Sequence, residues 1–175
     1  MATSMQRVMI CGGPGSGKSW LAREVGRRTG LPVFHMDHIH WKPGWVERTP
    51  EEKLALVRSV QAQDRWVFEG GHSTTYSERL ARADSFVWLD MSLALRFWRV
   101  FFRTLRSWGR SRPDLPEGCP ENFGPGKREL FHYMWRTRAT GRAKLAAIFA
   151  NPPRHLAIWH LRSRADVARF LESLP

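Results

Sequence analysis

Short apolar segments recur along the chain and are separated by longer stretches with helical spacing. Each apolar segment is rich in valine, isoleucine, phenylalanine or tryptophan, a composition that favours β-strands. The five segments are Arg7–Cys11, Pro32–Met36, Arg65–Phe68, Ser85–Leu89 and His155–Trp159. Strands that alternate with helices are typical of βαβ units. The sequence therefore predicts an α/β fold with a five-stranded parallel sheet flanked by helices.

Capping signals mark the ends of the predicted helices. Thr49-Pro50-Glu51-Glu52 has the pattern of a capping box with proline at the first helical position. Ser92 and Ser163 are candidate N-caps, and Gly30 is a candidate C-cap. The helices predicted in this way are Lys18–Arg28, Pro50 to about Asp64, Ser92 to about Trp108 and Arg164 to about Leu171.

The segment Gly109–Gly126 interrupts this alternation between the fourth and fifth strands. It contains four prolines and several glycine or asparagine residues. Connections of this length are usually either functional or disordered. We expect one domain over residues 1–175, with a lid insertion at about 96–142 that includes this segment.

Arginine dominates the charge of the chain. The formal net charge is +12, and eleven basic but only four acidic residues lie between Arg96 and Arg142. Three explanations are open: a solvated basic face, an anion site that uses the bidentate geometry of guanidinium, or a nucleic-acid surface.

Neither membrane insertion nor secretion is indicated by the sequence. No apolar run approaches the roughly 20 residues of a membrane-spanning helix, and the first residues lack an apolar signal core. Cys11 and Cys119 are far apart in sequence and are expected to be reduced. We expect a cytoplasmic protein without a membrane partner.

The first predicted strand leads into a glycine loop with the spacing G-x-x-x-x-G-K-S. Glycines let backbone N–H groups converge on phosphate oxygens, and the following helix N-terminus adds partial positive charge. Lys18 is expected to reach the β- and γ-phosphates of ATP, and the Ser19 hydroxyl to bind Mg²⁺. The loop residues predicted to bind the nucleotide are Gly12, Gly13, Pro14, Gly15, Ser16, Gly17, Lys18 and Ser19.

Three carboxylates are expected at the carboxyl ends of strands, where α/β proteins bind ligands. Glu69 is the first candidate for the magnesium shell and Asp90 the second, while Asp37 is placed to accept a proton from the acceptor. Capping of a strand-to-helix turn is the alternative role for each. His35, His38 and His40 flank a strand end and not a helix face, and no cysteine lies near them. Polar contacts in an acceptor pocket are therefore favoured for them over the alternative of a metal site. 

Five arginines form a stripe along the third predicted helix and just beyond its end. They are Arg96, Arg99, Arg103, Arg106 and Arg110, spaced by three or four residues. This spacing confines them to an arc of about 80° on one face of the helix. Apolar residues occupy the rest of the helix, so we expect the apolar side to pack and the guanidinium groups to face a ligand or solvent.

Several motifs resemble adenylate-kinase-related P-loop proteins of the DNA topology modulation group. They are the glycine loop, His35-Met36-Asp37, Trp41-Lys42-Pro43-Gly44-Trp45, Glu69-Gly70-Gly71-His72, Arg79, Arg112-Pro113-Asp114 and Glu117-Gly118-Cys119-Pro120-Glu121. The wider resemblance to nucleoside monophosphate kinases implies strand order 2-3-1-4-5, a mobile lid and phosphoryl transfer. It also implies catalytic lid arginines at Arg99, Arg103, Arg138 and Arg142, and base recognition around Arg162.

The chain departs from these kinases where they grip the phosphate of the acceptor. The arginines expected after strands two and three are missing, and glutamate stands at position 69 in place of the usual aspartate. Asp37, Trp41, Trp45 and His72 are therefore the candidate acceptor residues, with Arg79 as a substitute for a missing arginine. A hydroxyl-bearing acceptor, with Asp37 as base in the manner of shikimate kinases, becomes an option beside a nucleotide.

These sequence features lead to three hypotheses about function. The main hypothesis is ATP- and Mg²⁺-dependent phosphoryl transfer to a small acceptor. The second is a nucleic-acid-associated ATP-binding protein or ATPase, supported by the sequence pI of about 11.1. The third is a P-loop protein that binds nucleotide and transfers nothing.

Overall fold

A computed structural model describes residues 5–174 and contains a five-stranded parallel sheet with helices on both faces. The sheet strands are β1 (Arg7–Gly12), β2 (Val33–His35), β5 (Trp66–Glu69), β6 (Ser85–Leu89) and β7 (Ala157–Leu161). Their order is β2-β5-β1-β6-β7, which is 2-3-1-4-5 when only these five strands are counted. The predicted α/β fold class is therefore confirmed.

A two-stranded hairpin and eight α-helices complete the described fold. The hairpin strands are β3 (Trp41–Lys42) and β4 (Val46–Glu47). The helices are α1 (Lys18–Thr29), α2 (Met36–His40), α3 (Pro50–Gln61), α4 (Tyr76–Arg82), α5 (Leu93–Arg106), α6 (Pro125–Arg136), α7 (Thr140–Ala150) and α8 (Arg164–Glu172). No helix within residues 5–174 has both the length and the apolar character needed to cross a membrane.

The capping signals in the sequence set several helix ends correctly. Thr49 and Glu52 exchange the two hydrogen bonds of a capping box at the start of α3. The hydroxyls of Ser92 and Ser163 cap α5 and α8. Gly30 ends α1 in a left-handed conformation with φ of 69°. These contacts are local, which is why sequence alone could predict them.

Both faces of the sheet are packed with apolar side chains. One face carries Phe68, Phe86 and Trp66, all fully buried, against α3, α4 and α7. The other face carries Val8 and Ile10 against α1 and α8. A sheet buried on both faces needs the continuous apolar strands that the sequence showed.

Three predicted features differ from the structure. The fifth strand begins at Ala157 and not at His155, because its register is set by parallel pairing of Ala157 with Ser85 on β6. Strand two ends at His35, where the chain turns into α2. Glu69 is the last residue of β5 and does not follow it.

The orientation of α5 agrees with the prediction only in part. Val100 on the apolar side is fully buried, but Trp98 and Phe102 of the same side lie on the surface. Arg96 and Arg99 face inward, where they line the cavities at the glycine loop and donate to its carbonyls.

Candidate active site

The glycine loop joins β1 to α1 in a conformation that requires glycine. Gly15 and Gly17 have φ of 78° and 100°, in the region that side-chain-bearing residues avoid. A Cβ atom on Gly12 would lie 2.7 Å from the Leu89 carbonyl, and one on Gly15 would lie 2.4 Å from the Arg96 carbonyl. The loop is therefore packed between the sheet and α5, as a loop that encloses phosphates must be.

Two arginines of α5 bind the outer side of this loop. Arg96 Nε donates to the Pro14 carbonyl at 2.9 Å, and Arg99 Nη1 donates to the Ser16 carbonyl at 2.7 Å. Meanwhile the first N–H groups of α1 have no partner within the helix. The positive end of α1 and these N–H groups thus form an anion site at the mouth of the loop.

Lys18, the first residue of α1, lies close to two carboxylates. Its charge lowers the pKa of Glu69 and opposes the rise in that of Asp37. Within residues 5–174 its ammonium group forms no ion pair shorter than 4.0 Å. An ammonium group in this position can bind an anion beside the loop, and the contact of Lys18 with phosphates stays a prediction.

Glu69 is almost completely buried at the end of β5, beside Lys18. Its Oε1 accepts from His35 Nδ1 at 2.7 Å, while Oε2 is buried and makes no hydrogen bond of good geometry. Burial opposes ionisation, but Lys18, His35 and the Ser19 hydroxyl outweigh it and keep the pKa of Glu69 below its ordinary value. Glu69 is therefore an ionised carboxylate with one oxygen free, next to Ser19.

Asp37 lies in α2, close enough to Lys18 and Glu69 for their charges to affect its pKa. Burial raises its pKa, aided by the negative charge of Glu69 and opposed by Lys18 and Arg112. A carboxylate with a raised pKa is a better proton acceptor than an ordinary aspartate.

Asp90 has hydrogen-bond partners on both of its oxygens and differs in this from Glu69. Arg142 on α7 donates to both of its oxygens, at 2.9 and 2.8 Å, and His160 Nε2 lies 3.0 Å from Oδ2. Burial opposes ionisation of Asp90, but Arg142 and His160 outweigh it and lower its pKa. The geometry therefore favours a role in attaching α7 to the sheet over a place in the magnesium shell.

A cavity of about 1460 Å³ opens on the inner side of the glycine loop. It brings together most of the residues predicted for the acceptor and the lid. These are Asp37, Trp41, Trp45, His72, Arg103, Arg138, Arg142 and Arg162. A second cavity of about 830 Å³ shares the loop and is bounded by α5 and α8, with Arg99 in its lining.

Two residues of the large cavity have strained backbones. Trp45 and His72 are the only non-glycine residues with positive φ in the described chain, at 61° and 84°. Trp45 is held there by its indole N–H, which donates to the Pro120 carbonyl at 3.1 Å. Backbone strain of this kind concentrates at functional sites, since the surrounding structure must offset its cost. In addition, burial and the charges of Lys53 and Arg79 lower the pKa of the His72 imidazole.

Arg79 does not reach this cavity, contrary to the prediction. The side chain is fully buried and donates to the carbonyls of Phe68, Gly70 and Gly71 at 2.9–3.1 Å. Its guanidinium also lies over the Phe68 ring. These hydrogen bonds give buried carbonyl groups a partner, so Arg79 stabilises the chain where β5 ends and the following turn begins.

The segment 109–124 is anchored by buried charges. Glu121 Oε1 lies 2.7 Å from Arg112 Nε, and its Oε2 accepts from Lys127. Arg103 of α5 approaches the same carboxylate at 3.8 Å. The segment also docks on the hairpin, where Gly44 N–H donates to the Gly118 carbonyl at 3.0 Å. In the sequence, Glu121 stands out only as part of a motif, because the cations that pair with it come from separate parts of the chain.

Replacing Glu121 with glutamine is expected to lower the free energy of unfolding by about 3 kcal/mol, because three cations would lose a buried counter-charge. Urea denaturation measures this, with the exposed Glu117→Gln in the same segment as the control. Burial opposes ionisation, but Lys127 and Arg112 outweigh it and lower the pKa of Glu121. The stabilisation is therefore present above the unfolded pKa and lost as pH falls through the folded pKa. Equal effects of the two substitutions would contradict the assignment.

The residues at the loop fit MgATP. The Ser19 hydroxyl and the free Oε2 of Glu69 are oxygen groups of the kind that Mg²⁺ prefers. No group of three or more His, Cys, Asp or Glu side chains suited to a metal is found within residues 5–174. That is compatible with Mg²⁺ held largely by substrate phosphates and water, with one or two protein groups.

Three solved structures with similar backbones are described as kinases. A shikimate kinase from Bacteroides thetaiotaomicron is 17% identical, with a TM-score of 0.56 over 96% of this chain and 95% of that one. A sugar kinase from Janibacter sp. HTCC2649 is 17% identical, with a TM-score of 0.52 over 96% and 93%. A gluconokinase from Sinorhizobium meliloti 1021 is 16% identical, with a TM-score of 0.52 over 95% and 94%.

The chain has a P-loop kinase fold. At these identities the similarity establishes the fold and not the substrate. No protein-family model matches the sequence, and no curated protein does. These three neighbours share the fold with this chain, and the finer resemblance to the DNA topology modulation group rests on the sequence motifs alone.

Proposed function

We propose that this protein transfers the γ-phosphoryl group of ATP to a hydroxyl group of a small molecule, with Mg²⁺ as cofactor. The observation that supports this most strongly is the convergence of Lys18, Asp37 and Glu69 at the mouth of the glycine loop. An ammonium, a carboxylate of raised pKa and an ionised carboxylate near Ser19 are the groups that phosphoryl transfer to an alcohol needs.

Each residue has a distinct task in this proposal. The loop N–H groups and Lys18 bind the phosphates and stabilise the charge that develops as the bond between the γ-phosphorus and its bridging oxygen breaks. Asp37 accepts the proton of the acceptor hydroxyl while the hydroxyl oxygen bonds to the γ-phosphorus. Ser19 and Glu69 would hold Mg²⁺, which neutralises phosphate charge and orients the leaving ADP.

The cavity on the inner side of the loop would hold the acceptor. Trp41 and Trp45 lie edge to face at 5.5 Å and offer an apolar wall, and His72 offers a polar group. Arg103 and Arg138 line the same cavity and would contact the phosphates, whereas Arg142 would have to leave Asp90 to do so. Arg99 instead contacts the loop from the second cavity, so its effect would come through the position of Ser16.

The nucleic-acid hypothesis has weaker support in the geometry. Of the five arginines in the stripe, Arg96 and Arg99 bind the glycine loop, and Arg103 lies beside Glu121. Only Arg106 and Arg110 are exposed. Duplex binding through the whole stripe would require all five to meet phosphates.

A screen of ADP release against sugars, polyols, hydroxy acids, nucleosides and nucleoside monophosphates tests the proposal. We expect at least one hydroxyl compound without a phosphate group to raise ATP turnover by a factor of about 100 or more over the rate in water. Preference for a nucleoside monophosphate would instead support an adenylate-kinase-like acceptor. Failure of every acceptor, with tight ATP binding retained, would favour a protein that binds nucleotide without transfer.

A further inference from the structure

The outer face of α5 exposes large apolar side chains that no part of the described chain covers. Trp98, Phe101, Phe102 and Leu105 lie on this helix, and Trp108 lies just beyond it. We call this set the aromatic face. Their exposed fractions lie between 39% and 60%. A contiguous apolar patch of several hundred Å² on a protein surface often marks an interaction site.

The rings of the aromatic face form one continuous layer. Trp98 stacks on Phe102 with ring centroids 5.4 Å apart and an interplanar angle of 18°. Phe101 meets Phe102 at 5.6 Å, and Phe123 extends the layer towards Trp108. The layer lies on the convex surface of a helix and is not a groove.

We propose that this protein docks on an anionic lipid surface through the aromatic face of α5. Helices that lie in a membrane interface combine Trp, Phe and Leu on one face with arginines at its edge. Arg106 and Arg110 are exposed beside the face, and neither forms an ion pair within residues 5–174. The net charge of +12 adds attraction to anionic head groups. Such a helix lies on a membrane without spanning it, so the absence of a long apolar run does not exclude it.

Charge and area favour lipid over a second copy of the chain. With roughly 200 Å² per large side chain, the face exposes on the order of 500 Å², whereas a stable dimer buries about 800 Å² per partner. Two copies would also bring their exposed arginines together. An anionic surface neutralises these arginines, and a convex apolar layer can enter the boundary between head groups and acyl chains.

The ring geometry favours lipid over single-stranded nucleic acid. Bases stack on ring faces that are open and arranged along a charged groove. Here Trp98 and Phe102 cover one face of each other, and the patch is convex. Moreover, the inward arginines of α5 are engaged with the glycine loop and cannot follow a phosphate chain.

Sedimentation of the full-length protein with lipid vesicles tests this proposal. We expect binding to vesicles that mix phosphatidylcholine and phosphatidylglycerol to be about tenfold or more tighter than binding to phosphatidylcholine alone. Trp98→Ser is expected to weaken binding to the anionic vesicles about tenfold or more. Arg106→Gln should weaken it several-fold and reduce its dependence on salt.

Matched controls lie on other parts of the protein. Leu56 is exposed on α3, and Arg65 is exposed just before β5, at the edge of the sheet opposite the glycine loop. Leu56→Ser and Arg65→Gln are expected to leave vesicle binding unchanged, whereas Leu105→Ser should weaken it. All five substitutions are at exposed positions, and circular dichroism melts verify that each variant is folded.

Several results would overturn the proposal. One is a lack of binding to anionic vesicles, and another is equal binding to both vesicle types. Equal losses in the aromatic-face variants and in their controls would also contradict it. So would a concentration-dependent dimer that Trp98→Ser abolishes in ultracentrifugation, or single-stranded DNA binding with the same dependence on Trp98. None of these measurements requires kinase activity, so they succeed or fail independently of the proposed reaction.

Discussion

Replacement of Lys18 by alanine is expected to lower the turnover of ATP by a factor of about 10²–10³, the typical loss when one preorganised donor to a transition-state charge is removed. ATP affinity should fall as well, because the ammonium contributes to binding before the reaction begins. Lys18 follows the glycine loop directly and is not neutralised by an ion pair in the part of the chain described. Steady-state ADP release and calorimetric titration with MgATP measure the two effects.

Lys42→Ala is the matched control for this change. Lys42 lies on the hairpin and pairs with Glu52 at 2.7 Å, with 40% of each side chain exposed. Its removal is expected to leave ATP affinity within about twofold of the original, since exposed ion pairs contribute little. If Lys18→Ala bound and turned over ATP as well as Lys42→Ala does, the assignment of the glycine loop would be lost.

Replacement of Asp37 by asparagine is expected to reduce kcat by a factor of about 10²–10⁴, the usual contribution of a general base. ATP affinity should change little, which separates this variant from Lys18→Ala. Asn keeps the size of the side chain and removes its ability to accept the proton of the acceptor. The comparison requires an acceptor found in the turnover screen and is measured as kcat under saturating ATP.

The pH dependence of Asp37 supplies a second readout. Since burial raises its pKa, activity should be lost as pH falls through a value above the ordinary pKa of about 4. A raised folded-state pKa also means that ionised Asp37 destabilises the folded protein as pH rises above the unfolded pKa. Asp37→Asn should therefore be inactive without being less stable at neutral pH. A variant that keeps its rate, or that loses rate only because it unfolds, contradicts the role of base.

Local signals in the sequence predicted the parts of the fold that depend on neighbours in the chain. Glycines at positions 12, 15 and 17, with lysine and serine directly after, define the loop by steric need and charge. Thr49, Ser92 and Ser163 cap helices through contacts within three residues. The apolar strands are readable because both faces of the sheet are buried.

Contacts between residues far apart in the sequence could not be predicted from local signals. Nothing near Arg79 in sequence shows that it will donate to one carbonyl of β5, at Phe68, and to two carbonyls of the turn after it. The partners of Glu121 come from α5, α6 and position 112. The hairpin at 41–47 depends on the loop that docks on it, as the bond from Gly44 to Gly118 shows.

The arginine stripe shows a correct periodicity whose packing was only partly predicted. The spacing placed the arginines on one face of the helix, although Arg110 lies beyond the end of α5. The glycine loop decided where this face points, because its carbonyls at Pro14 and Ser16 accept from Arg96 and Arg99. As a result, the aromatic side chains of the helix lie on the surface.

By itself, the sequence determined the glycine loop, the alternation of strands and helices and the carboxylates that end the strands, since these follow from steric limits and contacts over a few residues. Only the tertiary structure decided that Lys18 lies near both Asp37 and Glu69 and that Asp90 binds Arg142 and His160. It also decided that several aromatic rings of α5 are exposed. These arrangements depend on which hydrogen-bond partners the buried polar groups find when the chain packs. Because the partners are far apart in the sequence, local patterns do not reveal them.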